Sequence, residues 1–253
     1  YRSSRGLGDV YKRQDFLKKF ILILQGYGKG DVMFDIIFIS YKEPNADSNF
    51  KDLQSRFPIA QRVHGVKGIH QAHIEAAKKA LTKMFYVVDG DAVIEDDFYF
   101  DYKVPQKDMD AVHVWRSKNP VNNLVYGYGG VKLLPRDLTL NMNIDTADMT
   151  TSISDRFRPM EQISNISAFN TSPFDTWKSA YRECVKLSSK VIDRQEDSET
   201  EARLDAWCRS DDLIAVNGAL AGKKYGTENK GNKEAIAKIN DFAWLEEVYK
   251  NAN

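Results

Sequence analysis

From Phe34 onward the apolar residues fall into strand-length blocks, separated by turn formers and by segments with a helical period. "FDIIFISY" (34–41) is a continuous β-branched and aromatic run, the pattern of a strand covered on both faces. The "KEPNADSN" that follows is rich in turn formers and reads as a loop. A short helix is expected around Phe50–Arg56, stopped by Pro58, and "RVHGVKG" reads as a short strand entering a glycine loop. In "IHQAHIEAAKKAL" (69–81), Ile69, Ala72, Ala76, Ala77, Ala80 and Leu81 fall near a 3.6-residue period, and alanine is the best helix former. "MFYVVD" is then a second buried-type strand. This strand–helix alternation is that of a parallel α/β sheet, whose ligands bind at the carboxyl ends of the strands. Tyr41–Asn45 and Asp89–Asp91 both belong at such ends.

The second half is more mixed. "DAVHVWRS" (110–117) alternates like a strand with one exposed face, and "NLVYGYGGVKLLPR" sets three glycines among aromatics before another strand. Helices are expected over 175–192, over "SETEARLDAWCR", and over 240–251, where Phe242, Leu245, Val248 and Tyr249 share one side. No repeat or low-complexity linker divides the chain, so a single α/β domain is expected over 15–253.

Composition narrows the function classes. The 253 residues carry 36 basic and 36 acidic side chains, with no basic block of the kind that binds nucleic acid. The first 14 residues, "YRSSRGLGDVYKRQ", resemble a translated sequencing adapter. Setting aside their four basic residues and one aspartate leaves 32 basic against 35 acidic, a net charge of −3. Cys184 and Cys208 are the only cysteines, which excludes a disulfide framework and favours a reducing, cytoplasmic setting. No apolar run approaches the roughly 20 residues that span a bilayer, and no signal peptide is visible.

The candidate chemistry lies in "FYVVDGDAVIEDDF" (85–98). Two carboxylates one residue apart at the end of a buried strand repel each other unless a cation lies between them. Asp89 and Asp91 are therefore expected to hold Mg²⁺ or Mn²⁺, hard ions that take oxygen donors and leave positions open for phosphate. Glu95, Asp96 and Asp97 read as a solvated turn.

"FISYKEPNAD", "VHGVKGIHQAHIEAAKKAL" and "FYVVDGDAVI", continued by "HVWRSKNPVNNLVYGYGGVKLLPR", resemble the GT-A-fold glycosyltransferases of bacterial and phage type, over about residues 33–225. The resemblance implies a Rossmann-like mixed, mainly parallel sheet flanked by helices, with a nucleotide-binding half at about 33–100 and an acceptor and catalytic half at about 101–225. It implies a metal-dependent transfer of sugar from a nucleotide diphosphate to a hydroxyl of a glycan or other surface polysaccharide. In such an enzyme Tyr41, Glu43 and Asn45 would line base and ribose, and Lys67 would approach the phosphates or sugar. Asp89 would contact ribose or metal, Asp91 would ligate the metal, and Gly129 and Gly130 would let the backbone approach the sugar. An inverting member also needs a carboxylate base for the acceptor hydroxyl. Asp175, at a helix start, fits best, with Glu161, Asp148 and Asp155 as rivals. The chain departs from the pattern in having no histidine after His113 to complete a metal site.

Other residues read more plainly. His70 and His73, three apart, read as helix-surface residues, His113 as a core or pocket histidine, Trp177 and Trp244 as core, and Cys184 as a buried thiol. Trp115 is open between core and acceptor contact. "GYGKG" (26–30) lacks the ending of a phosphate loop. Two further functions compete. "VVDGDAV" also matches the opening motif of haloacid-dehalogenase-type phosphatases, with Asp89 as nucleophile. A non-catalytic binder of nucleotide sugar or glycan is the other.

Overall fold

The computed structural model describes residues 33–127, 129–144, 149–191 and 197–252. The adapter-like segment, "GYGKG" and Asp148 lie outside the described residues. Three strands open the fold, β1 (Asp35–Ser40), β2 (Gln61–His64) and β3 (Met84–Asp89), joined by α1 (Ala46–Arg56) and α2 (Ile69–Lys79). β1 runs parallel to β2 on one side and to β3 on the other, with Ile37 opposite Gln61 and Ile39 opposite Asp89. All three therefore deliver their carboxyl ends to one edge.

The remaining strands are β4 (Ala92–Ile94), β5 (Val112–Lys118), β6 (Val125–Tyr126), β7 (Val131–Pro135) and β8 (Phe157–Ser167). The sheet order is β2-β1-β3-β7-β5-β8-β4, with β6 paired to β5. β7 is antiparallel to both its neighbours, β5 and β8 are parallel, and β4 is antiparallel to β8. The protein is thus a single α/β domain with a mixed sheet flanked by helices, the class expected from sequence. The sheet is not mainly parallel, however, because four of the seven strand pairings among the described residues, none of them within β1–β3, are antiparallel.

Alternation along the strands builds a core on each face. Ile36, Phe38, Tyr86 and Val88 pack with Leu53 of α1 and with Phe98, Phe100 and Trp115. Ile37, Phe85 and Val87 pack with Ala76 and Ala77 of α2, and with Met149 and Ile153 of α4 (Met149–Ile153), which follows the short α3 (Arg136–Leu140). The C-terminal helices are α5 (Pro173–Ser189), α6 (Asp197–Cys208), α7 (Leu213–Glu228), α8 (Lys233–Ala237) and α9 (Phe242–Ala252). α5 carries two apolar clusters, one with Leu204, Trp207 and Ala219, the other with Ile236, Ile239 and Leu245.

Several expectations need correcting. α1 begins at Ala46, inside the expected loop, because the Ala46 amide turns back onto the Glu43 carbonyl at 3.1 Å. β5 is covered on both faces, and Trp115 is 2% exposed against Tyr86 and Phe98, which makes it core and removes the acceptor contact. β8 escapes the apolar pattern because its first half, Phe157–Gln162, leaves most side chains partly or fully open to solvent. α7 escapes because three of its residues are glycines four apart. A Cβ at Gly218 or Gly222 would run into the Trp177 or Tyr181 carbonyl of α5, and one at Gly226 into Ser188 and Val185. Here glycine serves the close approach of two helices rather than a turn.

Candidate functional site

The DGD turn is fastened at both ends. The Asp89 amide donates to the Gly130 carbonyl at 2.9 Å, continuing the β3–β7 ladder, and the Asp91 carbonyl accepts from the Ala168 amide at 2.7 Å, just beyond β8. Asn49 of α1 donates to the Gly90 carbonyl at 3.0 Å, and Asn45 donates to the Ala168 carbonyl at 2.9 Å. The turn is therefore gripped from β7, β8 and α1 together.

Glycine at position 90 has a steric reason. A Cβ there would lie 2.7 Å from Glu43 Oε2 and 3.1 Å from the Ser40 Cβ, so the missing side chain is what lets the Glu43 carboxylate lie against the turn. Glu43 is held in place by the Tyr41 amide, which donates to Oε2 at 2.7 Å. The loop after β1 thus brings a third carboxylate to the two aspartates.

The balancing charge is Lys132, which sequence reasoning missed. Its ammonium donates to both Asp89 oxygens, at 2.8 and 3.0 Å, and to the Gly129 carbonyl. The side chain is 4% exposed. The signal was available, since a lysine inside the apolar "GGVKLLP" is buried only with a partner. Burial pushes Asp89 up from the ordinary carboxylate range, against Lys132 and with Glu43. Asp91, lacking a side-chain donor among the described residues, is pushed up to about 7 by burial and then by Asp89 and Glu43. A second cation, Arg182 of α5, senses Glu183 and Asp91. Burial draws its pKa down while those two acids hold it up, and it donates to the Ile239 carbonyl at 2.8 Å.

The donor chemistry fits a hard cation, because three carboxylates share one bonded lysine and Asp91 is left under-neutralised. The protein does not form a complete cage, however. No group of three or more Asp, Glu, His or Cys side chains gathers tightly enough to hold an ion among the described residues. Asp91 is the oxygen donor free to meet a metal, while both oxygens of Asp89 already accept from Lys132.

The other expected residues take these places. Asn45 leaves its buried Oδ1 without a donor among the described residues, an orphan acceptor beside the turn. Lys67 is exposed in the loop after β2, between Gly65 and Gly68, both at positive φ. Gly130 faces inward, since a Cβ there would lie 2.5–2.9 Å from the Asn165 amide group. That amide belongs to a buried network in which Ser117 and Ser164 each donate to Asn165 Oδ1 at 2.8 Å.

Asp175 opens α5 as part of a helix cap. Ser172 Oγ accepts from the Asp175 amide at 3.1 Å and donates back to Oδ2 at 2.7 Å. Thr171 donates to Oδ2 at 2.9 Å and Lys178 to Oδ1 at 2.6 Å. Burial works to raise the carboxyl, but the Lys178, Ser172 and Thr171 donors win and hold it below its usual range.

The rivals Glu161 and Asp155 are exposed, Glu161 pairing with Arg116 at 2.6 Å. Contrary to expectation His73 is wholly buried, its Nδ1 2.8 Å from the Ile69 carbonyl and its Nε2 without a partner among the described residues. His113 is buried, with its Nδ1 3.1 Å from the Ala111 carbonyl.

Beside the turn, at the ends of β1 and β2, lies a polar cluster that the sequence did not reveal. Arg62 Nε donates to Ser40 Oγ at 2.8 Å, and Arg62 Nη1 to Asp47 at 2.6 Å. Ser40 Oγ, having accepted from arginine, donates its own hydrogen to His64 Nδ1 at 2.9 Å. That leaves Nε2–H of the exposed His64 as the outward donor. The i, i+2 spacing of Arg62 and His64 on one strand face was the only trace.

No family model matches the chain, and no curated protein matches it. Among solved structures the fold is similar to a mannosyltransferase from Pyrobaculum calidifontis solved with GDP-Man and Mn2+. That likeness has 12% identity, covers 87% of this chain and 83% of that one, and has a TM-score of 0.45.

Proposed function

We propose that the chain is a glycosyltransferase that binds a nucleotide-diphosphate sugar at the carboxyl ends of β1, β2 and β3 and transfers the sugar to a hydroxyl, as in polysaccharide synthesis. The observation that carries this is the packing of Glu43 against Gly90. It gathers acids from two parallel strand ends around one turn, where α/β sheets bind their ligands. In this reading Asp91 would hold a Mg²⁺ or Mn²⁺ ion. Bound there, the metal would supply Lewis-acid charge neutralisation to the leaving diphosphate, worth several kcal/mol in the transition state.

The chain's own residues do the rest. Lys132 fixes Asp89 through both its oxygens and leaves Asp91 without that tether, and Arg182 brings positive charge towards Asp91 from α5. The orphan Asn45 Oδ1 accepts a ribose hydroxyl, Tyr41 and Glu43 line the base and ribose, and Lys67 meets phosphate. Gly129 and Gly130 fit the lysine and Asn165 and act on the sugar through that scaffold. Asp175 serves as the cap of α5, because its oxygens accept three hydrogen bonds and its low pKa makes a weak base.

The same geometry disfavours an aspartyl nucleophile, since Asp89 has both oxygens engaged by a buried lysine. The deciding experiment is a thermal-shift screen of UDP-, GDP-, CMP- and dTDP-sugars with and without Mn²⁺, followed by product analysis. A metal-dependent shift equivalent to a few kcal/mol is expected at about 100–1,000 times the dissociation constant. It should vanish in Asp91→Asn. Shifts that survive this variant, or no shift with any donor, would sink the assignment.

A further inference from the structure

The two cysteines, 24 positions apart, are brought together by the helical layer. Cys184 lies in the buried face of α5 and is 0% exposed, whereas Cys208 closes α6 and is partly open to solvent. Both belong to one apolar cluster, in which Cys208 packs against buried members that include Cys184, Leu204, Trp207, Ala215 and Ala219. Their sequence neighbours converge as well. Glu183 accepts from the Tyr126 hydroxyl at 2.9 Å, and Trp207 Nε1 donates to that hydroxyl at 3.5 Å. A single tyrosine from β6 thus ties α5 to α6 beside the thiol pair, with Arg203 over its ring at 4.7 Å.

We propose that Cys208 and Cys184 are an attacking and resolving pair that closes a reversible disulfide when a low-molecular-weight disulfide is present. Shared packing in this cluster, with the neighbouring Glu183 and Trp207 meeting on one tyrosine hydroxyl, brings the two side chains to the same seam, where a disulfide joins two helices. The solvent-open partner has the more acidic thiol. Cys208 is drawn down to about 7, by the Cys184 thiol first and by Lys223 after, while burial pushes Cys184 up.

The atoms balance as follows. The Cys208 thiolate attacks one sulfur of the reagent disulfide, that S–S bond breaks, and one small thiol leaves with the proton Cys208 gave up. Cys184 then loses its proton and attacks the Cys208 sulfur, expelling the second small thiol. Both protein thiols are oxidised and one reagent disulfide is reduced to two thiols.

The test uses the full chain, incubated with oxidised glutathione, quenched in acid, denatured, alkylated and weighed intact. The expected wild-type product is a monomer that takes up no alkyl group, has lost two hydrogens, recovers both thiols with dithiothreitol, and melts at a higher temperature than the reduced form. Cys184→Ala should stop at one glutathione adduct, and Cys208→Ser should stay unmodified. A wild type that keeps both thiols, halts at the mixed disulfide, or forms only an intermolecular dimer would overturn the proposal. The wild-type arm decides the matter even if a variant fails to fold.

Discussion

Lys132 Nζ sits 2.8 Å and 3.0 Å from the two oxygens of Asp89, reaching diagonally from β7 to β3 with its side chain almost wholly out of solvent. The pair is placed by register, since Val87 faces Lys132 and the Asp89 amide continues the ladder onto Gly130. Removing one member of a buried pair leaves the other uncompensated. Lys132→Met is therefore expected to lose about 3 kcal/mol in urea unfolding. Lys132→Met with Asp89→Asn should lose less than the lysine change alone, and a double variant that loses the sum of the two would show that the residues are not coupled.

Asp91→Asn should behave oppositely. Its carboxylate is crowded by Asp89 and Glu43, so removing the charge relieves repulsion. Unfolding at pH 8 should show stability equal to the parent or up to about 2 kcal/mol higher, while sugar transfer is lost. A clear drop in stability would show that the carboxylate holds the fold together.

His73 gives a pH signature. Burial first, and the neighbouring Lys132 charge second, lower its pKa from 6.5 to about 3. Between those values the unfolded chain takes up a proton that the folded protein refuses. The contribution is therefore fully present above pH 6.5 and is lost as pH falls towards 3, by about 1.4 kcal/mol per pH unit. The difference in stability between wild type and His73→Leu, followed from pH 7 to pH 4, should show that slope. Parallel curves would place the imidazole in water.

Gly222→Ala tests the seam between α5 and α7. Alanine favours a free helix by about 1 kcal/mol over glycine. Here its Cβ meets the Tyr181 carbonyl, so overpacking of about 1–3 kcal/mol opposes that gain. The melting temperature should fall, and a rise would mean that the helices separate freely.

Asp175→Asn separates cap from base. Asparagine keeps an acceptor for Ser172 and Thr171 but surrenders the charge paired with Lys178 at 2.6 Å. A loss of about 1 kcal/mol with turnover kept within a few-fold is expected of a cap. A collapse of turnover at unchanged stability would restore the carboxylate as base.

What the sequence made legible follows burial on both faces. β1, β3, α2 and α5 were visible because apolar runs or a 3.6 period declare themselves without tertiary help. The acids were visible because Asp89 and Asp91 follow such a run directly. Lys132 stayed hidden because its charge is cancelled only by a strand 43 residues earlier, and Glu43 gained its place from a side chain missing at Gly90. α7 stayed hidden because spaced glycines look like loop until the partner helix is known. Trp115 and His73 were misplaced for a related reason: a single aromatic or imidazole does not announce which layer covers it.

β4 begins only three residues after β3 ends, yet it pairs with β8 at the far end of the sheet order, and Asp91 is pinned to Ala168. The acid turn cannot take shape from the first half of the chain alone. Contacts spanning some 75 residues must close first, and long loops close late in folding. An emerging or truncated chain that stops short of Ser167 would carry both aspartates in an open, unshaped turn. Pairing of β4 with β8 is then what gives the two acids their turn geometry.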